Sequence, residues 1–218
     1  MTLSNDKLLL AIPKGRILAS LEQIFKNIEF KIEDSFYQDS TRKLIFKTNI
    51  KNIEVIKVRS FDVATFVKYG GADIGIAGLD VIEEFNSEEI YRLIDLNIGK
   101  CRLSIASCKD ILDLQNINKI KVATKYVNLT TKFFNQYGIQ AQIIKLNGAI
   151  EIAAKIGLAD YIIDLVDTGK TLKSNNMIEN MKILKVSSYL IANKAAFIQK
   201  NKSINDFVTN FLKIDIEN

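Results

Sequence analysis

The sequence predicts an α/β protein built on two largely parallel sheets with a cleft between them. Two observations carry that expectation. Short apolar runs alternate with amphipathic stretches along the chain, the pattern of repeated strand–helix units. The alternation is interrupted at "DLNIGK", with about four such units on either side. A lobe boundary is therefore expected near residues 97–100, and clefts of this kind are favoured ligand sites.

In chain order, residues 7–12 form an apolar run ending at Pro13, the only proline, and predict the first strand. Leu18, Leu21, Ile24 and Phe25 recur at spacings of three and four, which puts one face of a helix over 17–26. Apolar runs at 43–47 and 53–58 predict strands, followed by a helix over 61–69, a strand at 73–77, a helix over 79–85 and a strand at 90–95. Beyond the boundary, strands are expected at 102–107, 119–123 and 140–145, with a helix over 128–137. "NGAIEIAAKIGLAD" opens on the turn residues Asn147 and Gly148 and stops at Gly157, so it reads as a capped helix over 149–156. A strand at 161–166, a short helix at 172–175, a strand at 181–187 and a helix over 204–212 complete the series.

With 218 residues, 48% hydrophobic and 25% charged, the chain has the composition of a soluble globular protein able to bury a core. No apolar run approaches the roughly 18–20 residues of a membrane-spanning helix. The first residues lack the pattern of a signal peptide, so a cytoplasmic protein is expected. Cys101 and Cys108 are expected to be buried thiols rather than a disulfide or a zinc site. The absence of histidine excludes Ser-His and Cys-His relays and imidazole ligation of metals. Chemistry must then run on carboxylates, Lys, Arg, hydroxyls, backbone amides or a hard metal ion. A net charge of +5 and a pI near 9.0 favour anionic partners, although the excess is spread along the chain.

Four loops stand out. In "IIDLVDTGKTLKSN" an apolar run carrying Asp164 and Asp167 gives way to Thr168, Gly169, Lys170 and Thr171 before a helix. Backbone amides, two hydroxyls and a lysine suit a phosphate, and the aspartates suit ribose hydroxyls or magnesium; a plain helix cap reads equally well from these residues alone. In "AIPKGRI", Lys14, Gly15 and Arg16 follow the first strand, where α/β sheets hold ligands, and suit a polyphosphate or a solvated basic turn. "GGADIGIAGLDVI" brackets a strand with glycines, including Gly78, and offers Asp73 or Asp80 as a helix cap. In "KVRSFDVATFV", Arg59 offers a rigid fork to phosphate while Asp62 reads as an N-cap. Arg42 beside a strand reads as a solvated edge, and Glu151 as an exposed helix residue.

Taken together, "AIPKGRIL", "VRSFDVATFV", "GGADIGIAGLDVI", "KVATKYVNLTTKFF", "LNGAIEIAAKIGLADYIIDLVDTGKTLKSN" and "SSYLIANKAAF" run collinearly over nearly the whole chain and resemble the short form of the ATP phosphoribosyltransferase family. The resemblance implies two lobes of type II periplasmic-binding-protein-like form, one of residues 1–96 plus 183–218 and one of residues 97–182. It implies transfer of a phosphoribosyl group from 5-phosphoribosyl 1-pyrophosphate to adenine N1 of ATP, the first step of histidine biosynthesis, with Mg2+ carried by the substrate. It assigns the donor to Asp164, Asp167, Thr168, Gly169, Lys170 and Thr171, and the nucleotide to Gly15, Arg59, Gly78 and Glu151. Catalytic roles at the leaving pyrophosphate fall to Lys14, Arg16 and Arg42, the last reaching in from a neighbouring subunit in one arrangement. The implied partners are a second copy of the chain and a regulatory subunit similar to a histidyl-tRNA synthetase catalytic domain, since the chain leaves no room for the regulatory domain of long forms; neither nucleic acid nor membrane is expected. Family members often carry Pro at the positions of Ala64 and Ala154 and Lys at that of Leu79, where this chain lacks the cation. The competing expectation is a non-catalytic two-lobed binding protein for a phosphorylated solute.

Overall fold

A computed structural model describes residues 7–38, 40–108 and 113–212. The chain divides into two compact units. One holds the described residues up to Ile82, then Asn86–Gly99 and those from Ser187 on; the other holds Glu83–Phe85 and the described residues of Lys100–Val186.

The first unit is a six-stranded sheet with helices α1 (Arg16–Asn27), α2 (Ser60–Lys68), α3 (Leu79–Phe85, through Ile82), α7 (Lys194–Gln199) and α8 (Asn201–Leu212). Its strands are β1 (Leu8–Pro13), β2 (Ile45–Lys47), β3 (Ile53–Val58), β4 (Ile74–Gly78), β5 (Ile90–Asp95) and β11 (Ser188–Asn193), in the order β2-β3-β1-β4-β11-β5. At its centre β1 runs parallel to β3, with Pro13 opposite Val58, and parallel to β4, with Leu10 opposite Ile74. Every residue of β4 is buried, as a strand covered on both faces requires. β2 pairs antiparallel with β3, and β11 lies antiparallel between β4 and β5.

Packing explains these elements. Leu21 and Phe25 of α1 are buried while Leu18 and Ile24 are partly buried against the same core, the stripe that the spacing predicts. Phe207 and Phe211 of α8 join Phe25 and Phe30 in an aromatic cluster, with ring centroids 5.0–6.4 Å apart, each edge contact adding about 1 kcal/mol. α2 lies so close on β4 that a Cβ on Gly75 would stand 2.8 Å from methyls of both Val63 and Val67. Gly75→Ala is therefore expected to destabilise the protein by about 1–3 kcal/mol, read as a lower urea midpoint; an unchanged midpoint would refute this packing.

Glu33 fixes a short 3-10 turn (Asp34–Tyr37) against β2 by accepting from Lys43 Nζ, Ser35 Oγ and the Lys47 amide, the last at 3.1 Å. The Lys43 bond first, then those from Ser35 and Lys47, lower its pKa from 4.5 to about 2. A carboxylate depressed in the folded state contributes stability above its unfolded pKa and loses it as pH falls toward the folded one. The stability gap between the native protein and Glu33→Gln should thus be full at neutral pH and shrink between about pH 4.5 and 2; urea titrations showing a constant gap would contradict it.

The second unit is a five-stranded sheet of β6 (Cys101–Ser107), β7 (Lys119–Thr124), β8 (Gln140–Lys145), β9 (Tyr161–Val166) and β10 (Ile178–Val186), in the order β10-β6-β9-β7-β8. Helices α4 (Val127–Gln136), α5 (Ile150–Lys155) and α6 (Lys170–Ser174) flank it. β7 is parallel to β8 and β9, whereas β6 is antiparallel to β9 and β10. Glu84, 6% exposed, accepts from the Asn128 and Leu129 amides at 2.9 Å each and so satisfies the start of α4 from outside that helix.

Both units are α/β as expected, but their sheets are mixed rather than mostly parallel. The apolar runs specify strands without specifying direction, and β2, β6 and β11 run against the parallel strands beside them. The expected strand at 181–187 ends at Val186, and β11 and α7 follow it directly; a single residue, Ser187, with no Gly or Pro beside it, marks the passage from one sheet to the other. The expectation of buried thiols fails for both cysteines. The buried part of β6 lies between them, and Cys101 is half-buried while Cys108, just past the strand, is exposed; neither forms a disulfide.

Candidate active site

The parallel centre of the first unit gathers three of the four loops. β3, β1 and β4 end side by side, so Lys14, Gly15 and Arg16 after β1, Arg59 after β3 and Gly78 at the end of β4 share the C-terminal edge of one sheet. Backbone bonds knit the first two loops together: Lys14 N donates to Val58 O at 2.8 Å, and Ser60 Oγ donates to Lys14 O at 3.3 Å. Because β2 is antiparallel to β3, with Ile45 opposite Ile56 and Lys47 opposite Glu54, the segment preceding β2 that carries Arg42 runs toward this same edge. Lys14, Arg16, Arg42 and Arg59 are all exposed, a concentration of cations suited to an extended anion. Gly15, with φ 87° and ψ −143°, takes a conformation open chiefly to glycine and turns the chain into α1.

The three aspartates expected as helix caps, Asp62, Asp73 and Asp80, do not occupy cap positions. Asp62 lies inside the first turn of α2, whose cap position is Arg59. Asp73 accepts the Leu9 amide and the Lys200 ammonium, each at 2.8 Å, and so ties β1 to the C-terminal helices. Asp80 follows the cap position Gly78 of α3 by two residues and is buried.

In the second unit β9 delivers Asp164 and then a turn, Asp167–Gly169, into α6. Gly169 adopts φ 75°. The i→i−4 ladder of α6 begins with Lys173 N donating to Gly169 O at 3.1 Å, so the amides of Lys170, Thr171 and Leu172 precede any intrahelical acceptor. The Lys170 amide makes a long 3.4 Å contact with Thr168 Oγ1. Asp167, Thr168, Lys170 and Thr171 are exposed, and Asp164 is half-buried. Glu151, half-buried in the first turn of α5, follows β8, whose C-terminal end lies on the same edge of this sheet.

The structure therefore brings the assigned residues into two groups: Lys14, Gly15, Arg16, Arg42, Arg59 and Gly78 in one unit, and Asp164, Asp167, Thr168, Gly169, Lys170, Thr171 and Glu151 in the other. It also adds residues that sequence reading missed. Lys125, directly after β7, pairs with Asp164 Oδ1 at 3.2 Å, and that oxygen accepts the Leu165 amide as well. Arg102 donates from Nη1 to Asp167 O at 2.8 Å and binds Glu179 through Nε and Nη2. Strand order supplies these partners; no sequence spacing announces them.

Comparison with known proteins finds relatives of this chain in sequence and in fold. The family model for HisG, described as ATP phosphoribosyltransferase, matches residues 59–213. A protein of Novosphingobium aromaticivorans named ATP phosphoribosyltransferase is 44% identical over 207 residues, covering 94% of this chain and 93% of its own length. One of Rhodospirillum rubrum with the same name is 44% identical over 209 residues, covering 94% and 92%. The solved ATP phosphoribosyl transferase (HisG:HisZ) complex from Thermotoga maritima contains a chain of similar fold, with TM-score 0.80 and 28% identity, over 97% of this chain and 100% of that one.

Proposed function

The chain belongs to the ATP phosphoribosyltransferase family, and from that premise we propose how its two groups of loops divide the reaction. The protein is a pentosyltransferase that joins adenine N1 of ATP to 5-phosphoribosyl 1-pyrophosphate, releasing pyrophosphate, in the first step of histidine biosynthesis. The observation that carries the assignment of roles is the turn at Asp167–Gly169, which follows the strand bearing Asp164 and leads into the exposed helix-start residues Lys170 and Thr171.

On this reading the 5′-phosphate of the donor rests on the amides and hydroxyls of Thr168–Thr171, with Lys170 adding charge. Asp164 and Asp167 hold ribose hydroxyls and favour positive charge on the sugar. The N1 lone pair forms the new bond to the anomeric carbon while the bond to pyrophosphate breaks and its electrons leave with that group. Lys14, Arg16 and Arg42 stabilise the negative charge growing there, and Gly15, Arg59, Gly78 and Glu151 position the nucleotide. No general base is required, because N1 already carries a lone pair, and this agrees with a chain that has no histidine.

Magnesium is the cofactor of this proposal. Asp164 and Asp167 are hard oxygen ligands of the kind it accepts, while among the described residues no group of three Cys, Asp or Glu side chains is arranged to hold it. The ion would arrive on the donor's pyrophosphate, where it supplies neutralising charge. The Thermotoga maritima relative is named as part of a HisG:HisZ complex, and we propose that this chain also works in a complex, pairing with a second copy of itself and with a regulatory subunit similar to histidyl-tRNA synthetase. No described helix is long and apolar enough to cross a membrane; a cytoplasmic location is part of the proposal.

The test is release of pyrophosphate from ATP, donor and magnesium, with and without the regulatory subunit. Release coupled to phosphoribosyl-ATP is expected. A binding protein for a phosphorylated solute would bind the donor and release none; the named relatives do not favour it.

A further inference from the structure

We propose that Arg102 is a positioning residue for the donor loop: its guanidinium, fixed by Glu179 and Ser104, holds the Asp167 carbonyl and so sets where the loop's amides stand. The inference rests on the reading of residues 167–171 as the donor loop.

β6 lies between β10 and β9, so one side chain on β6 can reach from the edge strand to the loop. Arg102 Nε donates to Glu179 Oε1 at 2.5 Å, Nη2 pairs with Oε2, and Nη1 donates to Asp167 O at 2.8 Å. Ser104 Oγ donates to Glu179 Oε1 at 2.8 Å and anchors the carboxylate from a second side. A planar guanidinium bound along two of its edges has little freedom to turn, and a lysine could satisfy only part of this pattern. The side chains of Arg102 and Glu179 are 26% and 21% exposed, so the pair is partly shielded from salt.

The ladder between β6 and β9 ends with Arg102 opposite Val166. Asp167 is thus the first residue beyond the sheet's own bonds, and its carbonyl is the natural place to fix the turn that follows. Because Glu179 neutralises the guanidinium, Arg102 contributes position rather than net charge to an incoming phosphate. Glu179 is correspondingly held below its usual pKa, chiefly by the bond from Arg102.

Calorimetric titration of the full chain with 5-phosphoribosyl 1-pyrophosphate and magnesium, and separately with ATP, tests this. Arg102→Gln should raise the donor Kd about tenfold and change the ATP Kd by less than about twofold. Arg102→Lys should recover only part of the loss, and Ser104→Ala should weaken the donor less but in the same direction. A double variant of the loop itself, Thr168→Ala with Lys170→Ala, runs alongside. If that variant weakens the donor and Arg102→Gln does not, the inference falls while the loop assignment stands. Equal weakening of donor and ATP with a lowered Tm would show general destabilisation and also overturn it. A loop variant that binds the donor normally would refute the loop assignment itself. Should Arg102→Gln fail to fold, Arg102→Lys and Ser104→Ala carry the same comparison.

Discussion

Arg16→Ala is expected to lower turnover by about two to three orders of magnitude while leaving the fold intact. Arg16 occupies the first position of α1 and is exposed, where alanine is a better helix former and no core is disturbed. The proposed work of its guanidinium is in the transition state, where charge collects on the departing pyrophosphate next to Lys14. An interaction that strengthens only as charge develops affects kcat and kcat/KM alike. Arg16→Lys should restore part of the rate, since it returns the charge without the fork. Steady-state rates paired with thermal unfolding decide the matter: losses in Tm that track the losses in rate would mean that the residue supports the fold rather than the chemistry.

The second large effect is expected at Gly169. Its φ of 75° is poorly accessible to a β-branched residue, yet the nearest atom to an added Cβ is Val166 Cγ1 at 3.9 Å, an ordinary contact. The cost of Gly169→Val therefore comes from backbone strain of about 1–3 kcal/mol, which the turn would relieve by moving the amides proposed to face the phosphate. Donor affinity should fall by about 100-fold, with ATP affinity little changed. Gly169→Asn should bind much more nearly as the native protein does, because asparagine tolerates this conformation. Equal losses in the two variants would show that bulk rather than conformation controls the loop.

Much of the fold is legible in the sequence where periodicity and punctuation agree. The strand at 161–166, the helix at 79–85 and the stripe of Leu18, Leu21, Ile24 and Phe25 stand as their spacing predicts. Strand direction and sheet membership are not legible, because β10 and β11 are separated by the single residue Ser187, with no Gly or Pro to mark the passage. The composition of the candidate loops is equally plain from Lys14–Arg16 and from Thr168–Thr171. Their supports are hidden: Arg102 and Glu179 are 77 residues apart, and Lys125 meets Asp164 only because β7 and β9 are neighbours. Loop chemistry is local in sequence, whereas what holds a loop in place depends on strand order.

The most direct measurement is a crystal structure of the protein with 5-phosphoribosyl 1-pyrophosphate and magnesium bound. The account predicts the 5′-phosphate oxygens about 3 Å from the amides and hydroxyls of residues 168–171, with the ribose hydroxyls turned toward Asp164 and Asp167. A donor whose 5′-phosphate sits instead among Lys14, Arg16 and Arg59, with the Asp167–Thr171 turn making no contact with it, would contradict the account.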